Sequence, residues 1–171
     1  DDYVGGAFFA RAVLTALGLG SCIGVCLYDR TARVAGMAHV VLPDACARKD
    51  EPPGKFADTA LPTLIDEMLR FGASRWRLVA AISGGAQLFT FASDPARIGV
   101  GARNATAVID GLGRQGIPIL AQDLGGSQGR TMRLSAVDGR VSVKTIGQGE
   151  RELIILGDVR QAEYTGKRQV A

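Results

Sequence analysis

Leu17-Gly18-Leu19-Gly20-Ser21-Cys22-Ile23-Gly24-Val25-Cys26-Leu27-Tyr28-Asp29 is a run of β-formers with no charge before its last position. Such a run reads as a strand buried on both faces. It is interrupted at Gly18, Gly20 and Gly24, where backbone must bend or something must approach closely. Cys22 sits where the glycines give way to the strand. A thiol beside a glycine-rich bend has backbone N–H groups around it, here those of Gly20, Ser21 and Cys22 itself. That is the local chemistry of a nucleophile with an oxyanion hole. Cysteine is equally among the most buried residue types and packs as a small apolar side chain. Both readings stand on these residues alone.

The next apolar run, Arg33-Val-Ala-Gly-Met-Ala-His-Val-Val-Leu42, contains His39, the one histidine of the chain. Asp29-Arg30-Thr31-Ala32 is a polar turn, so the two runs read as strands joined by a tight connection. A hairpin centred near residues 30 and 31 places Cys22 opposite His39. Directly opposed cross-strand residues have Cβ atoms about 4.5–5.5 Å apart. This predicts a thiolate–imidazolium pair with a depressed cysteine pKa. The competing reading is a lone core histidine.

Several segments now carry a resemblance: Leu-Gly-Leu-Gly-Ser-Cys22, Val-Cys-Leu-Tyr-Asp29, Gly-Met-Ala-His39 and Val-Leu-Pro43. Gly-Lys-Phe-Ala-Asp58, Ser-Gly-Gly-Ala86, Gly-Ala-Arg-Asn104 and Gly-Gly126 with Arg130 follow in order. Together, from about Tyr3 to Glu150, they resemble the chemoreceptor glutamine deamidase family, CheD. The resemblance implies that Cys22 is the nucleophile and His39 its base, with the Gly84-Gly85 bend beside the site. It implies a protein-glutamine deamidase acting on the cytoplasmic domain of methyl-accepting chemotaxis receptors through a Cys22 thioester. Hydrolysis of glutamyl methyl esters by the same acyl-enzyme, and a CheC-type phosphatase partner, are implied as well. The family carries a threonine six residues before the cysteine, thought to orient the histidine, and that position here is Ala16. Thr15 is the adjacent hydroxyl and the remaining candidate for a third member, but on a regular strand it points to the other face. Ala16 therefore motivates an alternative function, a catalytically weak or inactive binding module for receptors or the phosphatase.

Composition bounds what else the chain does. At 171 residues it reads as one domain over 1–157, with a polar C-terminal tail over 158–171. Hydrophobic residues at 47% and charged residues at 22% are ordinary for a globular protein. The net charge of +3 suits an acidic partner, while scattered Lys and Arg with few aromatics argue against nucleic acid. Three cysteines without paired spacing fit a reducing cytoplasmic compartment rather than a disulfide scaffold. They also lack the C-x-x-C spacing of a zinc site, so no metal and no cofactor is expected. No apolar stretch is long enough to span a membrane, and no signal peptide is visible. Gly99-x-Gly101 before a helix has neither the third glycine nor the Lys-Ser/Thr of a phosphate-binding loop.

Along the rest of the chain, residues 3–10 read as an edge strand or an ordered arm. Residues 44–54 read as a loop. Leu61, Leu64, Ile65, Met68 and Leu69 predict a helix over about 56–71, and Ala105, Val108, Ile109 and Leu112 a second, ending near Gln115. Strands are expected at 76–83, 117–121, 130–137, 140–146 and 153–156, with Asp138-Gly139 as a hairpin turn. Paired strands with two separate helices imply an α+β fold, a mixed and largely antiparallel β sandwich layered with two main helices. The resemblance implies the same, in the manner of cysteine-hydrolase deamidases.

Overall fold

Side chains alternate between the two faces of a strand, and on the strand Ile23–Asp29 both faces are buried. Ile23, Val25 and Leu27 belong to a core shared with two helices, whereas Cys26 and Tyr28 belong to a core shared with a second sheet. A strand with this pattern is the middle of three layers. The structure is a computed structural model and describes residues 4–9, 12–46, 50–87 and 99–158.

The described strands are β1 (Val4–Phe9), β2 (Val13–Leu19), β3 (Ile23–Asp29), β4 (Val34–Val40), β5 (Val79–Gly84), β6 (Ile119–Leu124), β7 (Arg130–Ser135), β8 (Arg140–Thr145) and β9 (Glu150–Ile155). The helices are α1 (Ala57–Arg70) and α2 (Val100–Arg114). One sheet runs β1-β4-β3-β5-β6 and the other β2-β7-β8-β9. All pairings are antiparallel except β5 with β6. This is the expected α+β class. The helices cover one face of the larger sheet through Leu61, Leu64, Ile65, Met68, Val108 and Leu112, and the smaller sheet covers the other.

The stretch 17–29 is not one strand. β2 ends at Leu19 in the smaller sheet, β3 begins at Ile23 in the larger one, and residues 20–22 make the crossing. The hairpin register also differs from the tight turn expected. Asp29 pairs with Val34 and Gly24 with His39, so residues 30–33 form the connection. The Asp29 carboxylate widens it by accepting the Thr31 and Ala32 N–H groups, at 2.9 and 3.1 Å, and Arg33 takes a left-handed φ of 53°.

The strand expected from Trp76 begins only at Val79. Residues Arg75–Arg77 are a 3-10 turn, and Trp76 is 90% exposed. Here the Ser74 N–H and the Arg77 guanidinium turn inward to the buried Asp29 carboxylate, at 2.8 Å each, and direct Trp76 outward. Pro62 falls in the second turn of α1, where it removes a helical N–H. Within the stretch expected at 3–10, the described residues Val4–Phe9 form the edge strand β1, whose backbone pairs with β4 across a bulge. The tail expected beyond Gly157 lies outside the described residues, apart from Asp158.

Candidate active site

The crossing at 20–22 is held by its carbonyl oxygens. Gly20 O accepts the Ala86 N–H at 2.7 Å and Cys22 O the Gly85 N–H at 2.9 Å. Ser21 O accepts the Asn104 Nδ2 at 2.9 Å. The three partners come from the bend that follows β5 and the second turn of α2. Among the described residues none accepts the N–H of Gly20 or Ser21.

The approach of the 84–86 bend is close. Gly84 has a φ of +123°, and a Cβ built there would lie 2.1 Å from Cys22 O. Only glycine permits this contact. A Cβ on Gly101 would meet Gly85 O at 2.4 Å, so the same bend is packed against α2 from the other side. Gly101 thus serves backbone packing rather than a phosphate loop.

Cys22 is half-buried and packs against the core between the sheets. His39 follows Ala35 and Met37 on the face of β4 that meets the smaller sheet. His39 is in register with Gly24, and Cys22 lies two residues before Gly24, in the crossing that leads into β3. Gly24, not Cys22, is therefore directly opposed to His39, and the opposed pair expected is not formed. The space beside Gly24 is taken by Leu19 Cδ1 and Met132 Sδ from the smaller sheet.

Burial raises the Cys22 thiol above its ordinary pKa, and a hydrogen bond from its own backbone N–H offsets this in part. Burial lowers the His39 imidazole below its ordinary value. Both directions favour the uncharged forms, thiol and neutral imidazole. Cys26 is fully buried, and burial pushes its thiol far up. No disulfide joins Cys22, Cys26 and Cys46.

Ala16 is buried, and its Cβ lies 3.6 Å from where a Gly24 Cβ would stand. It faces the register position of His39. Thr15 is exposed on the outer face of the smaller sheet, opposite Arg133. Gly20, Ser21, Cys22, Gly84 and Gly85 are thus brought together at the end of β3 near His39, and Thr15 is not.

Two residues quoted in the motifs but given no role are part of this end. Asn104 is fully buried and donates through Nδ2 to Ser21 O and, at 2.8 Å, to Val41 O. Arg130 is buried, with Nη1 3.4 Å from Gly84 O and Nη2 3.5 Å from Asp123 Oδ1. Polar residues inside otherwise apolar or glycine-rich segments were the available signal. Among the described residues no cluster of His, Cys, Asp and Glu is arranged to hold a metal ion, and no helix is long and apolar enough to cross a membrane.

Fold and site together define a three-layer α+β domain with a cysteine in the turn before one strand and a histidine near the end of the neighbouring strand. A family model described as CheD chemotactic sensory transduction matches residues 41–145. A protein of Desulfitobacterium hafniense named probable chemoreceptor glutamine deamidase CheD is 48% identical over 142 residues, covering 83% of this chain and 89% of that one. One of Halalkalibacterium halodurans, named chemoreceptor glutamine deamidase CheD, is 47% identical over 138 residues, covering 80% and 85%. The chain belongs to the CheD family.

Proposed function

We propose that this chain is a protein-glutamine deamidase of chemotaxis receptors, with Cys22 as nucleophile and His39 as general base and acid. The observation that supports the reading is that Cys22 packs against the core between the sheets just before β3, while His39 stands in register with Gly24 two residues further on. The names of the relatives support the substrate class. His39 takes the Cys22 proton as sulfur attacks the glutamine carboxamide carbon. The resulting oxyanion is received by backbone N–H groups of residues 20–22, whose carbonyls are already engaged elsewhere. The C–N bond then breaks, and His39 returns its proton to the departing ammonia. Water attacks the thioester, gives a proton to His39 and leaves glutamate, and the thiol is restored. A glutamyl methyl ester would give the same acyl-enzyme with methanol as leaving group.

Incubation with a receptor cytoplasmic fragment tests this. Conversion of glutamine to glutamate adds about one dalton, and Cys22→Ala removes the proposed attacking sulfur, so the gain disappears in that variant. Deamidation that persists in Cys22→Ala sinks the assignment.

A second reading has its own observation, the buried Ala16 methyl facing the His39 register position. Without a hydroxyl there, the domain docks on receptors, or on a CheC-type phosphatase, with little turnover. Ala16→Thr separates the two. In a deamidase it raises kcat or leaves it unchanged. A wild-type chain with no turnover that becomes active as Ala16→Thr is a binding module.

A further inference from the structure

We infer that Asn104 is a positioning residue of this site: one carboxamide nitrogen ties the turn that carries Cys22 to the end of the strand that carries His39. It donates to Ser21 O at 2.9 Å and to Val41 O at 2.8 Å. Ser21 precedes the thiol by one residue, and Val41 follows the imidazole by two. The β3–β4 ladder stops at Ile23 and Val40, so backbone pairing between these two strands does not reach Cys22. Asn104 replaces the missing rung.

The amide can face only one way. Both neighbours are carbonyl oxygens, which accept and never donate, so the nitrogen must point at them. The other end of the same group, Oδ1, has no partner among the described residues although it is buried. An unpaired buried acceptor is destabilising. What the side chain supplies is its two donors. Its placement is built into the helix: Gly101 and Asn104 are three apart and share one face, and the bare Gly101 lets that face close on Gly85.

What is positioned rests on the deamidase reading; that something is positioned does not. Two hydrogen bonds fix the spacing of thiol and imidazole, and misplacement by about 1 Å costs an enzyme up to ~10²-fold. Small alkylating reagents need no such alignment. A loosened turn exposes Cys22 and eases ionisation of its thiol, so labelling accelerates while turnover falls. A change in substrate affinity alone moves neither in this way.

The test uses the full chain as Asn104→Ala and as Asn104→Asp. Turnover on the receptor fragment is measured alongside iodoacetamide labelling of Cys22, with buried Cys26 as internal standard for an intact fold. For Asn104→Ala we expect kcat to fall at least about tenfold with KM within about twofold. Cys22 labels faster and Cys26 stays unlabelled. In Asn104→Asp the ionised carboxylate faces two carbonyl oxygens, while the protonated form donates one bond. Its activity therefore gains a limb that rises as pH falls, opposite in sign to the loss caused by protonating His39. Unchanged kcat, Cys26 labelling in step with Cys22 in both variants, or an Asn104→Asp profile identical in shape to wild type overturns the assignment. If the wild-type chain leaves the fragment unchanged, the deamidase reading fails, and faster or unchanged Cys22 labelling alone decides the clamp.

Discussion

Gly24 stands directly across the ladder from His39, and its missing side chain is filled from the other sheet. A Cβ at Gly24 would meet Leu19 Cδ1 at 2.9 Å and Met132 Sδ at 3.1 Å. Leu19 is the last residue of β2 before the turn to Cys22, so this contact sets both sheet spacing and the position of the thiol.

Gly24→Ala should therefore act on stability and activity together. Both contacted atoms are ends of flexible side chains, so the fold adapts at a cost of about 1–3 kcal/mol. Displacement of Leu19 shifts the turn behind it, and kcat falls. Urea unfolding read beside turnover checks both, and a variant with wild-type kcat would separate Gly24 from the site.

Cys22 should react before Cys26 with iodoacetamide, because Cys26 is fully buried with its thiol pushed far up. The Cys22 thiol is itself raised by burial. Its labelling rate should keep climbing past the ordinary thiol pKa of about 8.5. A plateau near neutral pH would instead reveal a resting thiolate–imidazolium pair. Peptide mapping distinguishes the sites.

His39 sets the acid limb of activity. Only neutral imidazole accepts the thiol proton, and burial shifts its pKa below the ordinary value, about 6.5. The neutral form therefore persists to lower pH than in an exposed histidine. The midpoint of kcat/KM on the acid side should lie below about 6.5, with no further rise between about 7 and 8. A midpoint above the ordinary value would require a negative partner for the ring.

Asp29 should matter for stability and not for turnover. It is fully buried and accepts from Thr31, Ala32, Ser74 and Arg77. Burial by itself would raise its carboxyl pKa, but Arg77 and the three N–H groups together lower it. A lowered folded-state value means stabilisation present above the ordinary carboxylate pKa and lost as pH falls through the folded one. Asp29→Ala should cost about 3 kcal/mol at neutral pH by thermal or chemical unfolding. The kcat of the folded fraction should be unchanged, because Asp29 lies at the far end of β3, about 20 Å from Cys22 along the strand.

Much of this protein is determined locally and was legible in the residues. The apolar spacing of Leu61, Leu64, Ile65 and Met68 makes α1 bury that face, and Asp138-Gly139 turns β7 into β8, with Gly139 at a φ of 71°. The uncharged run from Ile23 to Tyr28 marks a strand between two layers, because only neighbours on both sides make such composition stable. The glycines at 84 and 85 likewise announce a close approach, although not to what.

Tertiary contacts decided the remainder. Whether residues 17–29 form one strand or two depends on partners for the carbonyls of residues 20–22, and those partners lie more than 60 residues away, at Gly85, Ala86 and Asn104. The hairpin register followed from the Asp29 carboxylate, which Ser74 and Arg77 also hold, and that shared use set His39 against Gly24. Trp76 looked like strand because an apolar run from Leu78 to Ile82 follows it, yet the buried Asp29 carboxylate turned the chain and put the indole in solvent. Local sequence specifies which segments extend, coil and bend. Long-range hydrogen bonds to buried backbone and carboxylate groups select the register, because such groups must find partners and only the assembled fold supplies them.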